Sequence, residues 1–167
     1  VSLLSKYLEI LAGLEGEMAS FASEFPLEEF KKSSFKQYPD ITLLTCADSR
    51  MPVNMFGPIF NRIFSVENIG NQFENNPGSV LYGLLHLRTP LFIVAGHSDC
   101  GAIKAAMSDF SAELLGIRTE LTPLNATLEE AQKSLKSPLS EQEDVKFTQL
   151  AELNVDMQIN YVLEYEE

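Results

Sequence analysis

Two short runs constrain this chain more than anything else in it. Ile41-Thr42-Leu43-Leu44-Thr45 and Leu91-Phe92-Ile93-Val94-Ala95 are apolar or β-branched at every position. A strand with one wet face alternates apolar and polar residues. A short run that does not alternate suits a sheet covered on both faces, and such sheets are mostly parallel. Ile63-Phe64-Ser65-Val66 reads as a further short strand.

The segments around these runs read as helices. Residues 1–22 carry Leu3, Leu4, Leu8, Ile10, Leu11, Leu14, Met18 and Phe21 at mainly helical spacing, and Pro26 ends the segment. A short helix should end at Phe56, before Gly57-Pro58. Ser79 is positioned as the cap of a helix over 80–87, stopped by Pro90. A helix from about Ala102 to Phe110 follows. The stretch 111–136 should be helical in pieces, broken at Pro123, and the chain closes on a long acidic helix. Strands alternating with helices predict an α/β fold with a mainly parallel central sheet flanked by helices, preceded by an N-terminal helical arm. The whole chain, 1–167, reads as a single domain: arm 1–40, core 41–110 and acidic helical part 111–167.

In open α/β sheets, sites form beyond the carboxyl ends of the strands. Cys46 directly follows the run 41–45, and His97 and Cys100 directly follow 91–95. If those strands are neighbours, all three side chains meet at one sheet edge. Charge points to the same segment. The chain carries net charge −12, with 4 basic and 4 acidic residues over 41–104, 4 and 7 over 1–40, and 4 and 13 over 105–167. So acidic a surface repels nucleic-acid phosphates and anionic lipid, which excludes nucleic acid and membrane as partners. The neutral block holds both cysteines and both histidines.

Two thiolates and an imidazole are good zinc ligands, and three protein ligands leave one tetrahedral position free, the catalytic pattern. In an extended backbone residues 46, 48 and 50 face one way. Asp48 can then reach a metal, or Arg50 can draw it away in a charge-assisted pair. Other readings stand beside this one. Each cysteine taken singly suits a small buried hydrophobe, and a metal-free oxidised sample allows a Cys46–Cys100 disulfide. His86 reads as a structural or interface histidine, Asp99 as a loop hydrogen bonder and Glu67 as a salt-bridge partner. Of Phe56, Phe60, Phe64 and Phe73, most belong in the core and one or two suit an apolar pocket.

Cys46-Ala47-Asp48-Ser49-Arg50, followed by Gly96-His97-Ser98-Asp99-Cys100-Gly101, resembles the β-class carbonic anhydrases, and Asn68-Ile69-Gly70-Asn71 between them is similar too. The resemblance covers roughly residues 40 to 106. It implies one zinc ion per subunit on Cys46, His97 and Cys100, and an Asp48–Arg50 pair that leaves the fourth position to water. In some members the aspartate becomes the fourth ligand instead. It further implies reversible hydration of carbon dioxide to bicarbonate by attack of zinc-bound hydroxide. A homodimer or higher oligomer is implied as well, with the N-terminal helix embracing the partner subunit. Carbon disulfide or carbonyl sulfide hydrolysis, or zinc binding without turnover, are the alternatives. Two departures stand out. Glu67 occupies a position that is often basic, and the family continues past a helix like 141–165 into a further strand, so a truncation or a different closing arrangement is expected.

No apolar run reaches about 18 residues, and Glu9, Glu15 and Glu17 interrupt any signal-like core at the N-terminus. The expectation is a soluble cytoplasmic protein, processed or trimmed at its start, since the chain opens on Val1.

Overall fold

A computed structural model describes residues 3–165. They form two compact units, meeting in sequence between Gln37 and Tyr38.

The first unit is helical. Helix α1 spans Leu3–Glu24 and buries none of its residues; α2 spans Leu27–Lys32. Pro26 closes α1 because it lacks the N–H that would continue the ladder. A run of aromatic edge contacts joins the two helices: Phe21 to Phe25 at 5.8 Å, Phe25 to Phe30 at 6.0 Å and Phe30 to Phe35 at 5.0 Å between ring centroids.

The second unit is built on a parallel sheet of three strands, β1 (Ile41–Cys46), β2 (Ile63–Asn68) and β3 (Leu91–Ala95), in the order β2-β1-β3. The central strand β1 is buried at every position, as its unbroken apolar and β-branched pattern requires. Register pairs Leu44 with Val66 on one side and Val94 on the other. Those three side chains share a core cluster with Phe73 and Val80. β3 is an edge strand and half-buried, with Leu91 exposed. The second core cluster lies among α4 (Gly101–Ala106), α5 (Leu115–Lys133) and α6 (Glu143–Leu163), where Ile103, Leu121, Leu124, Leu128 and Leu150 pack with Cys46 and Cys100.

Three helix expectations need correction. Helix α3 runs Pro77–Leu81 with Asn76 at the cap position, not Ser79. Pro77 suits the first helical turn, where its missing N–H has no partner to lose. The helix then widens into a π turn, Tyr82–His86. There Gly83 lies so close to β1 that an added Cβ would stand 2.2 Å from Thr42 Oγ1. The helix after Cys100 stops at Ala106, well before Phe110. Finally, α5 is one continuous helix with Pro123 inside it. An internal proline costs about 3 kcal/mol. Burial of Leu121, Leu124 and Leu128 on the same helix outweighs this at roughly 1.5–3 kcal/mol each. Among the described residues no helix is long and apolar enough to cross a membrane.

Candidate metal centre

Because β1 and β3 are neighbours in register, their carboxyl ends bring Cys46 beside the loop that carries His97 and Cys100. The ligand atoms of these three residues all lie within 4.8 Å of one another. Cys46 and Cys100 are buried free thiols with sulfurs 3.9 Å apart. His97 Nδ1 stands 2.9 Å from the Ser98 carbonyl, which can only accept, so Nδ1 carries the proton. In the neutral ring the lone pair then falls on Nε2, and that atom is buried without a hydrogen-bond partner. A buried acceptor left open beside two thiols is costly unless something fills the gap. A metal ion satisfies all three groups, and a sulfur–sulfur–imidazole set suits zinc.

The electrostatics separate the two thiols. Cys46 is drawn down chiefly by the hydrogen bond from Cys100, with help from the Gly70 N–H. Cys100, the donor of that pair and buried, is pushed up. Gly70 N–H donates to Cys46 Sγ at 3.5 Å.

Asp48 leaves β1 toward the same edge and is gripped by Arg50. Arg50 Nε donates to Oδ1 at 2.9 Å, Nη2 to Oδ2 at 2.7 Å, and the Arg50 backbone N–H to Oδ1 at 2.9 Å. This holds the Asp48 carboxyl far below the usual carboxylate range and raises the guanidinium further still. Asp48 Oδ2 is 3.7 Å from His97 Nε2, so the carboxylate borders the cluster without entering it.

Arg50 is itself held from the other side. Its Nη1 donates to Asp99 Oδ2 at 3.0 Å, Nη2 donates to the Asp99 carbonyl at 2.9 Å, and Lys104 donates to Asp99 Oδ1. The pull of Lys104, then of Arg50, lowers the Asp99 carboxyl. Asp99 is thus a loop hydrogen bonder, but its reach to Arg50 was not legible from the motif alone. Neither was the role of Lys104, one helical turn beyond Cys100. His86 lies elsewhere, stacked on Tyr82 at 4.4 Å. Glu67 is exposed and forms no ion pair among the described residues. Phe73 is buried, while Phe56, Phe60 and Phe64 are half-buried.

The sequence profile described as carbonic anhydrase matches residues 41–167. The chain belongs to the β-class carbonic anhydrase family. A carbonic anhydrase of Emericella nidulans is 31% identical over 135 residues, covering 77% of this chain and 57% of that protein. One from Mycolicibacterium smegmatis is 35% identical over 74 residues, covering 43% of this chain and 36% of that protein. The chain thus spans little more than half the length of the first of these relatives, and less of the second. Among solved structures, a tetrameric β-carbonic anhydrase of Sordaria macrospora superposes with a TM-score of 0.74 at 25% identity, covering 96% of this chain and 82% of that one. A β-carbonic anhydrase of Aspergillus fumigatus gives 0.71 at 28% identity, covering 94% and 75%.

Proposed function

We propose that this chain catalyses the reversible hydration of carbon dioxide to bicarbonate and a proton, with one zinc ion held by Cys46, His97 and Cys100. The observation that carries this reading is the open, buried Nε2 of His97 on a ring grouped with two free thiols. When bound, zinc would supply the Lewis acidity that makes water a nucleophile near neutral pH. The remaining work falls to the chain. Cys46 and Cys100 bind as thiolates and offset much of the ion's charge. The Ser98 carbonyl fixes the His97 tautomer, a common device around metal-binding histidines. Asp48, ionised and acceptor-only, holds the hydrogen of the attacking oxygen and turns that oxygen's lone pair toward the carbon of CO2. Arg50 keeps Asp48 in that role and away from the metal. The carbon–oxygen bond forms, bicarbonate departs and the proton passes to buffer.

The same reading makes the protein a homodimer or higher oligomer. α1 exposes Leu4, Leu8, Leu11, Met18 and Phe21 among other apolar side chains. A helix with that much uncovered apolar surface fits a second copy of the chain better than water. The cytoplasm, where thiols stay reduced, suits the two free cysteines.

Stopped-flow CO2 hydration on zinc-quantified protein, with carbon disulfide and carbonyl sulfide as competing substrates, tests the proposal. CO2 turnover that neither sulfur compound matches supports it. Preference for a sulfur substrate moves the activity to hydrolysis, and no turnover of any of the three leaves a zinc-binding protein.

A further inference from the structure

Two side-chain amides sit where the buried face of α6 should be apolar. Asn154 and Gln158 are 0% and 1% exposed, in line with buried Leu150 and Ala151. Burying an amide is costly unless every polar atom is matched, and here the matches run in one direction. Phe73 N–H donates to Gln158 Oε1 at 2.7 Å. Gln158 Nε2 donates to Asn154 Oδ1 at 3.0 Å. Asn154 Nδ2 donates to the Gly70 carbonyl at 2.8 Å. The two ends are a backbone N–H, which only donates, and a backbone C=O, which only accepts. The orientation of both amides is therefore fixed.

The loop they hold, 69–73, carries the N–H that reaches the candidate metal site: Gly70 N–H to Cys46 Sγ at 3.5 Å. Gly70 has φ +74°, and a Cβ there would stand 2.7 Å from Leu124 Cδ2. The loop is squeezed against α5, and among the described residues the one side-chain hydrogen bond to the Gly70 carbonyl comes from Asn154. We infer that Asn154, seated by Gln158, is a positioning residue for the metal centre: by pinning the Gly70 carbonyl it keeps the Gly70 N–H on the Cys46 sulfur, and so sets how strongly that sulfur binds the metal. The inference rests on the reading of Cys46 as a metal ligand. An apolar residue at 154 would cover the same helix face but leave the Gly70 carbonyl buried and free to turn.

The test compares wild type, Asn154→Leu and a control, Gly83→Ala, which crowds Thr42 and Phe64 beneath the π turn and meets no member of this relay. Zinc affinity is read by chelator competition, and the sulfur-to-metal charge-transfer band by cobalt(II) substitution. Lost outer-shell partners commonly weaken metal binding about 10- to 100-fold. Asn154→Leu should weaken zinc binding by about tenfold or more and shift the cobalt band, while Gly83→Ala lowers the melting temperature and leaves both unchanged. Equal affinity and an unshifted band in Asn154→Leu overturn the inference, as does an equal loss in Gly83→Ala. A second measurement needs no variant: in wild type loaded with spin-active cadmium, the Gly70 amide proton should couple to the metal through the N–H···S bond. Absence of that coupling also overturns it. Wild type that binds neither zinc nor cobalt removes the metal-site reading itself, and this inference with it.

Discussion

Arg50 meets Asp48 with two parallel bonds, Nε to Oδ1 at 2.9 Å and Nη2 to Oδ2 at 2.7 Å, so both carboxylate oxygens are occupied. The carboxylate still stands 3.7 Å from His97 Nε2. Under the proposed zinc site the pair would act as a latch whose release lets Asp48 move onto the metal. Arg50→Ala should lower kcat for CO2 hydration by about 100-fold, the size usual for losing a positioned proton acceptor. Zinc content should not change, because none of the three ligands is touched. Full activity in that variant would break the dyad account.

Asp99 steadies the latch from outside, bonded to Arg50 and Lys104. Its side chain is 57% exposed, and exposed pairs contribute roughly 0–1 kcal/mol. Asp99→Asn should therefore cost about fivefold or less in kcat/KM, far below the Arg50 effect. A loss as large as that of Arg50→Ala would mean Asp99 does more than brace the guanidinium.

The Asp48 carboxyl lies well below the usual range because of Arg50. A folded value below the unfolded one makes the pair's stabilisation fully present above the unfolded value, about pH 4. It is lost as pH falls from there toward the depressed folded value. The melting-temperature difference between wild type and Arg50→Ala should be flat near neutrality and narrow below about pH 4. A difference that widens in acid contradicts the assignment.

Metal removal should expose the thiols to each other. Their sulfurs are 3.9 Å apart, within reach of a disulfide after a small adjustment. Under mild oxidant, apo protein should lose two titratable thiols per chain while zinc-loaded protein keeps both. Equal thiol loss in the two forms would argue that the metal does not sit on Cys46 and Cys100.

Gly83 tests the fold apart from the site. A methyl at this position would stand 2.2 Å from Thr42 Oγ1 and 2.9 Å from Phe64 Cδ1. Gly83→Ala should destabilise by about 1–3 kcal/mol, as overpacking does, with zinc affinity unchanged. An unaltered melt would mean that the π turn can move off the sheet.

Much of this architecture was legible because it rests on local pattern. β1 and β3 announce themselves as runs without alternation, and the motifs at their carboxyl ends place Cys46, His97 and Cys100 together. What stayed hidden depends on long-range packing. Pro123 reads as a break, yet the leucines around it hold α5 together. Val155 and Ile159 look like core positions of α6, yet the buried stripe runs through Asn154 and Gln158. Two amides four residues apart in an apolar stretch are a visible signal. Their meaning depends on Gly70, 84 residues away from Asn154.

The most direct test of the central claim is to titrate metal-free protein with zinc while following CO2 hydration. Activity should rise in proportion to bound zinc and level off at one ion per chain, with Cys46→Ser or Cys100→Ser lowering both together. Full zinc occupancy without CO2 turnover would contradict the account.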